Sequence, residues 1–193
     1  MQCGNPLAGV TISPPQCGPC MDPNRPLTSV VALYLYDGAP ALAVKALKYK
    51  NKRALALPMG RLLYGGLAMC GEVDLVVPIP LHKSRLRQRG FNQASLLLSD
   101  IEARGTPAVD HRLLQRVRKT SSQAGLSRQG RLRNVKGAFR VKASEKEGLK
   151  GKRVLLVDDV LTTGSTLTAC ASALKRAGAA SVSALVFARR DTM

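Results

Sequence analysis

The sequence lacks tryptophan and is poor in other aromatic residues, with three Phe and four Tyr among 193 residues. No apolar run reaches the roughly 18 residues needed to cross a bilayer, and no basic-then-apolar leader opens the chain. Internal repeats and low-complexity tracts are missing as well. We therefore expect a cytoplasmic protein without membrane insertion. Its 45% hydrophobic content and its length suffice for one α/β domain with a small appendage.

Acidic residues are also scarce, with 12 Asp and Glu against 30 Lys and Arg and a net charge of +18. Fourteen of the basic residues, but only three acidic ones, lie between Leu81 and Arg140. A surface of this charge attracts polyphosphates and nucleic acid alike, although part of it would be an ordinary solvated face. With so few aromatic side chains, binding of single-stranded DNA would depend mainly on backbone electrostatics.

The most informative segment is Val154 to Thr166, which reads VLLVDDVLTTGST. Its first four residues are apolar, as expected of a parallel strand buried on both faces. Asp158 and Asp159 follow at the carboxyl end of that strand, where open α/β sheets place their ligands. The next residues can turn their N–H groups inward around Gly164, and the helix that follows directs its positive end at the same loop.

This arrangement predicts a site for a phosphorylated sugar. The two carboxylates suit hydroxyl groups or a shared Mg²⁺ ion, and the loop suits a phosphate. The candidate loop residues are Leu161, Thr162, Thr163, Gly164, Ser165 and Thr166.

Two other interpretations fit part of the segment. ATPases also carry an apolar strand ending in acidic residues, but they need a Gly-x-x-x-x-Gly-Lys-Ser/Thr loop, which this sequence lacks. A pair of acids could also mark a solvated strand end, but that interpretation leaves the hydroxyl-rich loop unexplained.

A second strand, predicted at residues 73–79, is halted by prolines that cannot extend a sheet. Four basic residues follow within seven positions: Lys83, Arg85, Arg87 and Arg89. Parallel strands align their carboxyl ends, so we expect these residues on a loop facing Asp158. Guanidinium groups bind pyrophosphate oxygens in bidentate fashion. We expect Arg85 and Arg89 to point inward and the other two to be more exposed.

Residues 116–136 lose all periodicity and become rich in Ser, Gln, Gly and Arg, which predicts a flexible loop. A mobile basic flap beside a reactive sugar would exclude water on closure. A surface excursion without function is the alternative interpretation.

Together these segments resemble the ComF/GntX branch of type I phosphoribosyltransferase-like proteins. The resemblance rests on residues 154–166, 77–93, 123–126 with 131–139, and 45–49. It implies a phosphoribosyltransferase type I-like core with a mainly parallel sheet flanked by helices. It also implies 5-phosphoribosyl 1-pyrophosphate (PRPP) as the ligand, Mg²⁺ as its companion, and a link to DNA uptake or utilisation.

The resemblance also assigns roles to residues. Asp158 and Asp159 become the candidate catalytic pair, and the basic segment after the second strand takes the place of the pyrophosphate-binding loop. The candidate flap contacts are Gln123, Arg131 and Asn134. Purine-salvage relatives carry an Asp two residues before the loop glycine, where this chain has Thr162, which argues against purine salvage and leaves orotate-type or non-base acceptors open.

Two functions are compatible with these observations. The chain would transfer phosphoribose from PRPP to an unknown acceptor, or it would sense PRPP without catalysis and bind single-stranded DNA alongside competence or DNA-processing proteins. Salt dependence of DNA binding and release of pyrophosphate would discriminate between them.

Residues 1–25 are predicted to form a segment separate from a phosphoribosyltransferase-like domain at 26–193. In a cytoplasmic chain, cysteines are thiols or metal ligands rather than disulfides. Members of the family often begin with two Cys-x-x-Cys pairs, and Cys3, Cys17 and Cys20 resemble three ligands of a truncated zinc ribbon whose first cysteine would precede Met1. Three thiolates would bind Zn²⁺ weakly. Cys70 and Cys170 are expected to be core thiols.

The remaining pattern predicts the other elements. Strands are expected at residues 28–36, 139–141 and 181–187, with a short segment of unassigned type near residues 108–109. Helices are expected at residues 40–50, 54–68, 92–104 and between Leu167 and Gly178, and the first presents a basic face with Lys45, Lys48 and Lys50. His82 is expected in a loop near the pocket, and His111 on the surface.

Overall fold

The computed structural model describes residues 25–120 and 128–190. In these ranges the strands are β1 (Val30–Leu35), β2 (Leu75–Pro78), β3 (Ala108–Val109), β4 (Leu114–Arg116), β5 (Phe139–Val141), β6 (Arg153–Leu161) and β7 (Ser181–Arg189). The α-helices are α1 (Gly38–Tyr49), α2 (Ala56–Gly66), α3 (Lys83–Arg89), α4 (Gln93–Leu96), α5 (Ser99–Arg104), α6 (Arg128–Val135), α7 (Lys146–Leu149) and α8 (Ser165–Arg176). Short 3₁₀ helices cover Arg53–Leu55, Leu67–Cys70 and Ala143–Glu145.

Five strands form a parallel sheet in the order β1-β7-β6-β2-β3. The central strand β6 lies between β2 and β7, with Leu156 opposite Val77 on one side and Ala184 on the other. Strands β4 and β5 pair antiparallel as a separate two-stranded sheet. The expectation of a mainly parallel sheet flanked by helices is confirmed.

Alternate residues of β6 enter two different hydrophobic cores, which explains its unbroken apolar run. Val154 and Leu156 pack in the core that contains α8 and the small β4–β5 sheet. Leu155 and Val157 pack in the opposite core, beneath α1, α2 and α5. A strand covered on both faces needs apolar residues at every position, so the pattern in the sequence follows from the burial.

The basic segment after β2 differs from its prediction, because residues 83–89 form helix α3 rather than a loop. The ring Nδ1 of His82 accepts a hydrogen bond from the N–H of Ser84 at 3.2 Å and so caps the first turn. The helix ends at Gly90, whose φ of 80° lies in the left-handed region that glycine adopts without strain. The sequence prediction missed both signals because histidine is an uncommon capping residue and the prolines before it suggested a loop.

The predicted helix at 92–104 is two helices, α4 and α5. The N–H of Leu98 bonds to the carbonyl of Ser95, three residues back, and this tighter turn ends α4. Asn92 caps α4 through its side chain and also donates to the carbonyl of Ile79 at 3.0 Å, which fixes the helix to the end of β2.

The predicted loop at 116–136 is wrong at both of its ends. Its first residue ends β4, and residues 128–135 form helix α6, which packs against α8 through the buried side chain of Val135. Gln123 lies outside the described residues, as do Cys3, Cys17 and Cys20 of the predicted zinc segment.

The remaining predictions have simple outcomes. The predicted strands and helices at 28–36, 40–50, 54–68 and 181–187 are present with shifted ends, and the strand predicted at 139–141 has the predicted ends. Cys170 is fully buried, as expected, whereas Cys70 is only partly buried. His111 lies on the surface in contact with Glu102. None of the helices in the described ranges has the length and apolar character that a membrane crossing requires.

Candidate functional site

A cleft opens at the carboxyl edge of the sheet, between the ends of β2 and β6. Its floor is made by the ends of these two strands, and its walls come from α1, α3, α4 and β4. The residues that line it are Lys48, Ile79, Pro80, Leu81, Arg85, Gln93, Arg116, Asp158, Asp159, Val160 and Thr166. The cleft therefore brings together three separate parts of the sequence in which chemistry was predicted.

Strand β6 places the two carboxylates. It continues to Leu161, so Asp158 and Asp159 lie within its last residues and point to opposite faces. Asp158 is half-buried and accepts a hydrogen bond from the N–H of Asp159 at 2.9 Å. Asp159 is buried, and among the described residues its Oδ2 atom has no hydrogen-bond partner. A buried carboxylate oxygen without a partner is costly, and it suits a ligand hydroxyl or a cation.

The two acids differ in their electrostatic environment. Burial and the neighbouring Asp159 carboxylate raise the pKa of Asp158 from its usual range to about 7, and the ammonium group of Lys48 only partly opposes this. A positively charged ligand at this edge would favour the ionised form of Asp158.

Lys48 is a site residue that the sequence prediction missed. The sequence pattern places it on the basic face of the first helix, but its Nζ lies 2.7 Å from Oδ1 of Asp159. Burial by itself would lower the pKa of this lysine, but Asp159 and Asp158 outweigh burial and raise it. The signal in the sequence was its position directly after the buried Leu47, which brings it to the edge of the packed face.

The hydroxyl-rich segment follows the acid pair, but the loop is shorter than predicted, because Leu161 ends β6 and Ser165 and Thr166 begin α8. Gly164 has a φ of 75°, in the region that side chains disfavour, and precedes the first residue of α8. The hydroxyl oxygens of Thr163 and Ser165 lie 3.0 Å apart, and Ser165 is buried. Thr166 lines the cleft, while Thr162 and Thr163 are partly exposed beside it. The loop and the positive end of α8 thus border the cleft next to the acids.

Two arginines also line the cleft. Arg85 comes from the predicted basic segment. Arg116 comes from β4, and the sequence prediction missed it because the strand is short and was taken for part of a flexible loop. Its guanidinium carbon lies 5.2 Å from the ring centre of Phe139, and it donates to the hydroxyl of Thr120. Within the described chain its buried Nε has no partner, and burial and nearby Arg85 lower its pKa.

The other basic residues of α3 do not line the cleft. Arg89 donates to the Oε1 of Gln93 at 2.6 Å, and its guanidinium carbon lies 5.7 Å from the ring centre of Tyr49. Gln93 is buried and lines the cleft. Arg89 therefore supports a lining residue and does not itself reach the cleft. Lys83 and Arg87 are exposed.

The predicted flap contacts are only partly described. Arg131 lies in α6. Asn134 lies in the last turn of the same helix, and its carbonyl accepts a hydrogen bond of 2.9 Å from Arg118. Arg118 also donates to the carbonyl of Lys136 at 2.7 Å, so it joins the end of β4 to the end of α6.

The two carboxylates suit a divalent cation only if a bound ligand supplies further oxygen atoms. The described residues contain no group of three His, Cys, Asp or Glu side chains able to hold a metal ion by themselves. Mg²⁺ is commonly bound by one or two carboxylates together with phosphates of a ligand. The unpartnered oxygen of Asp159 and the carboxylate of Asp158 match the protein share of such a set.

Residues 89–192 match the family model of the phosphoribosyl transferase domain. The DNA utilization protein YhgH of Salmonella typhimurium is 35% identical over 94% of this chain and 79% of its own length. This chain belongs to the ComF family of phosphoribosyltransferase-like proteins. Competence protein F of Haemophilus influenzae is also similar to this chain. The two are 30% identical over 84% of this chain and 73% of the Haemophilus protein.

Among solved structures, the glutamine PRPP amidotransferase of Bacillus subtilis complexed with ADP and GMP is similar to part of the ComF-family chain. It is 24% identical over 66% of this chain and 25% of that protein, with a TM-score of 0.42.

Proposed function

We propose that this protein binds PRPP with a divalent cation in the cleft and transfers its phosphoribosyl group to an acceptor used in DNA uptake or utilisation. The observation that supports this most directly is the arrangement at one sheet edge. A buried carboxylate with an unpartnered oxygen, a residue of the hydroxyl-rich segment at a helix N-terminus and two arginines line the same cleft. The names of the relatives support the link to competence and DNA utilisation.

Each part of PRPP has a matching part of the cleft. The loop at residues 162–166 and the positive end of α8 would bind the 5′-phosphate. Asp158 and Asp159 would bind the ribose hydroxyls and the cation. Arg85 and Arg116 would bind the pyrophosphate, because guanidinium groups pair with its oxygens and Arg116 has a buried N–H to offer.

The reaction requires little covalent chemistry from the protein. The bond between C1 of the ribose and the pyrophosphate oxygen breaks, and its electron pair leaves with pyrophosphate. A nucleophilic atom of the acceptor forms the new bond at C1 and releases its proton to solvent. The arginines stabilise the charge that develops on the leaving group, the carboxylates hold the sugar in place, and a divalent cation would supply further positive charge at the pyrophosphate.

The residues also bear on the acceptor. Thr162 stands two positions before Gly164, where the resemblance places the base-assisting Asp of purine-salvage enzymes. A threonine hydroxyl cannot serve as a carboxylate base at neutral pH, so we propose an orotate-type or non-base acceptor rather than a purine.

Calorimetric titration with PRPP tests the binding step. We expect Mg²⁺-dependent binding to the wild type and at least about tenfold weaker binding to the Asp158→Asn/Asp159→Asn variant, since hydrogen bonds to charged groups contribute about 1.5–3 kcal/mol. The exposed Glu147→Gln serves as a control that removes one negative charge instead of two. Equal affinity of a folded double variant and the wild type would overturn the assignment. Release of pyrophosphate with a panel of nucleobases and other nucleophiles tests the transfer step.

A second candidate function, binding of single-stranded DNA, is favoured by the rim of the cleft. Helix α3 exposes Lys83, Arg85 and Arg87 there, and Tyr49, which is 75% exposed, lies beside Arg89. Cations next to an exposed aromatic ring suit a phosphate backbone with an adjacent stacked base.

Salt dependence tests this candidate. If Lys83 and Arg87 contact phosphates, their replacement by Gln should reduce the slope of log affinity against log salt by about 0.7 for each lost contact. Lys146→Gln with Lys150→Gln, both exposed at the opposite edge of the sheet, is the control with the same change in charge. An equal effect of the two pairs would assign DNA binding to net charge rather than to this rim.

A further inference from the structure

Helix α1 is not part of the β6–loop–α8 segment, but it places a lysine beside the acid pair of that segment. Val44 and Leu47 bury the inner face of the helix in the core beneath the sheet. Lys48 follows directly, and its side chain is 18% exposed with Nζ 2.7 Å from Oδ1 of Asp159. Lys45 and Lys50 of the same segment are exposed to solvent.

The ion pair uses only half of the buried carboxylate. Oδ1 of Asp159 faces the ammonium group, while Oδ2 has no partner among the described residues. Asp158 adds a second acid at the same edge. A buried lysine without its anion would carry a large desolvation cost, so any ligand that takes Asp159 from Lys48 must give the ammonium group another anion.

The same cleft supplies a place for that anion. Lys48 and Arg85 both line the cleft, so a polyphosphate bound there would lie close to the ammonium group of Lys48. A free divalent cation brings positive charge to the acids but no anion for the displaced lysine. A cation that arrives with a polyphosphate brings both.

We propose that Lys48 is a positioning residue that acts as the resident counter-ion of the acid pair and couples cation binding to polyphosphate binding. The inference builds on the proposed function of the cleft. In the ligand-free protein the ammonium group occupies Asp159 and opposes free divalent cations. When cation and polyphosphate bind together, Lys48 exchanges the carboxylate for phosphate oxygens. By linkage, each of the two ligands then raises the affinity for the other.

Binding of Mn²⁺ without any phosphate, measured by electron paramagnetic resonance, tests whether Lys48 opposes the binding of free divalent cations. Lys48→Gln retains a hydrogen-bond donor for Asp159 but removes the charge, and we expect it to bind Mn²⁺ at least about tenfold more tightly than the wild type, because a charge a few ångströms away is removed. Lys48→Arg retains the charge and should bind as weakly as the wild type.

Lys45→Gln and Lys50→Gln are matched controls, since they change the net charge equally from exposed positions of the same segment. We expect wild-type affinity for Mn²⁺ in both. The proposal is overturned if Lys48→Gln stays within twofold of the wild type, or if either control tightens Mn²⁺ binding as much as Lys48→Gln does.

A measurement on the wild type covers the case in which Lys48→Gln does not fold. In protein labelled with ¹³C at the lysine Cε, the Lys48 signal is identified by its loss in Lys48→Arg. We expect it to stay in place with Mg²⁺ alone and to shift when Mg²⁺ and pyrophosphate are added together. A signal that neither addition moves contradicts the exchange.

PRPP titrations on the same samples separate the two proposals. If the wild type binds PRPP but Lys48→Gln leaves Mn²⁺ affinity unchanged, only the role of Lys48 fails. If the wild type binds neither PRPP nor pyrophosphate, the proposed function of the cleft fails, and the inference fails with it.

Discussion

Asp74 and Arg153, 79 positions apart, join the starts of two neighbouring strands. The guanidinium Nε and Nη2 of Arg153 donate to Oδ2 and Oδ1 of Asp74 at 3.0 and 2.6 Å, and the N–H of Arg153 adds a third hydrogen bond at 2.8 Å. Glu72 accepts from the same guanidinium group. The contact fixes the start of β6 beside the start of β2, at the edge opposite the cleft.

The first prediction concerns the pH dependence of this contact. The hydrogen bonds from Arg153 hold the pKa of Asp74 well below its usual range. A carboxyl group whose pKa is lowered on folding stabilises the protein above its unfolded pKa, about 3.9, and loses that contribution as the pH falls through the folded value. Asp74→Asn should therefore melt at a lower temperature than the wild type at pH 7, and the two should converge in acid.

Thermal melts from pH 7 to pH 2 provide the measurement, with the exposed Glu147→Gln as the control. A difference in melting temperature between Asp74→Asn and the wild type that is the same across this range would contradict the prediction.

The second prediction concerns the approach of α2 to the segment between α4 and α5. A Cβ atom on Gly60 would lie 2.8 Å from the carbonyl oxygen of Leu97, which is backbone and cannot rotate away. Gly60→Ala should destabilise the fold by about 1–3 kcal/mol, measured by urea unfolding. Gly65→Ala in the same helix meets no atom within 4 Å and should be neutral or stabilising, by up to about 1 kcal/mol. Equal effects of the two would be inconsistent with a close helix approach.

The third prediction concerns the turn of the hydroxyl-rich loop. Because φ at Gly164 is 75°, Gly164→Ala should cost about 1–2 kcal/mol of stability even though the nearest atom to the new Cβ, on Leu161, is 3.7 Å away. Distortion of the loop should also weaken binding of ribose 5-phosphate. Gly148→Ala, which has open space and no positive φ, is the control. Unfolding curves and calorimetry measure the two effects, and full ribose 5-phosphate affinity in Gly164→Ala would show that the loop does not hold the phosphate.

The fourth prediction concerns Arg116. Arg116→Met preserves packing on Phe139 but removes the buried N–H group that has no partner in the described chain. We expect binding of inorganic pyrophosphate to weaken by about tenfold or more, because a hydrogen bond to a charged group contributes about 1.5–3 kcal/mol. The exposed Arg112→Met controls for net charge. If both variants bind pyrophosphate equally, Arg116 has no direct contact with it.

The sequence by itself determined the centre of the fold. A strand buried on both faces must be apolar at every position, so the sequence predicts β6, and Gly164 marks the turn after it. The acids, predicted to follow the strand, lie within its last residues. The same local rules predicted β7 and α8. They failed for α3, where a histidine cap and a C-terminal glycine are weak signals beside two prolines, and for the separation of α4 from α5.

Only the tertiary structure decided which basic side chains reach the cleft. From the sequence, both Arg85 and Arg89 are expected to point inward, but the packing of α3 directs only Arg85 to the cleft and turns Arg89 to Gln93. Lys48 and Arg116 reach the cleft from segments whose local pattern indicated a solvated face and a flexible loop. Long basic side chains are compatible with solvent, a rim or a buried pair, so their roles depend on contacts between distant segments that no local pattern contains.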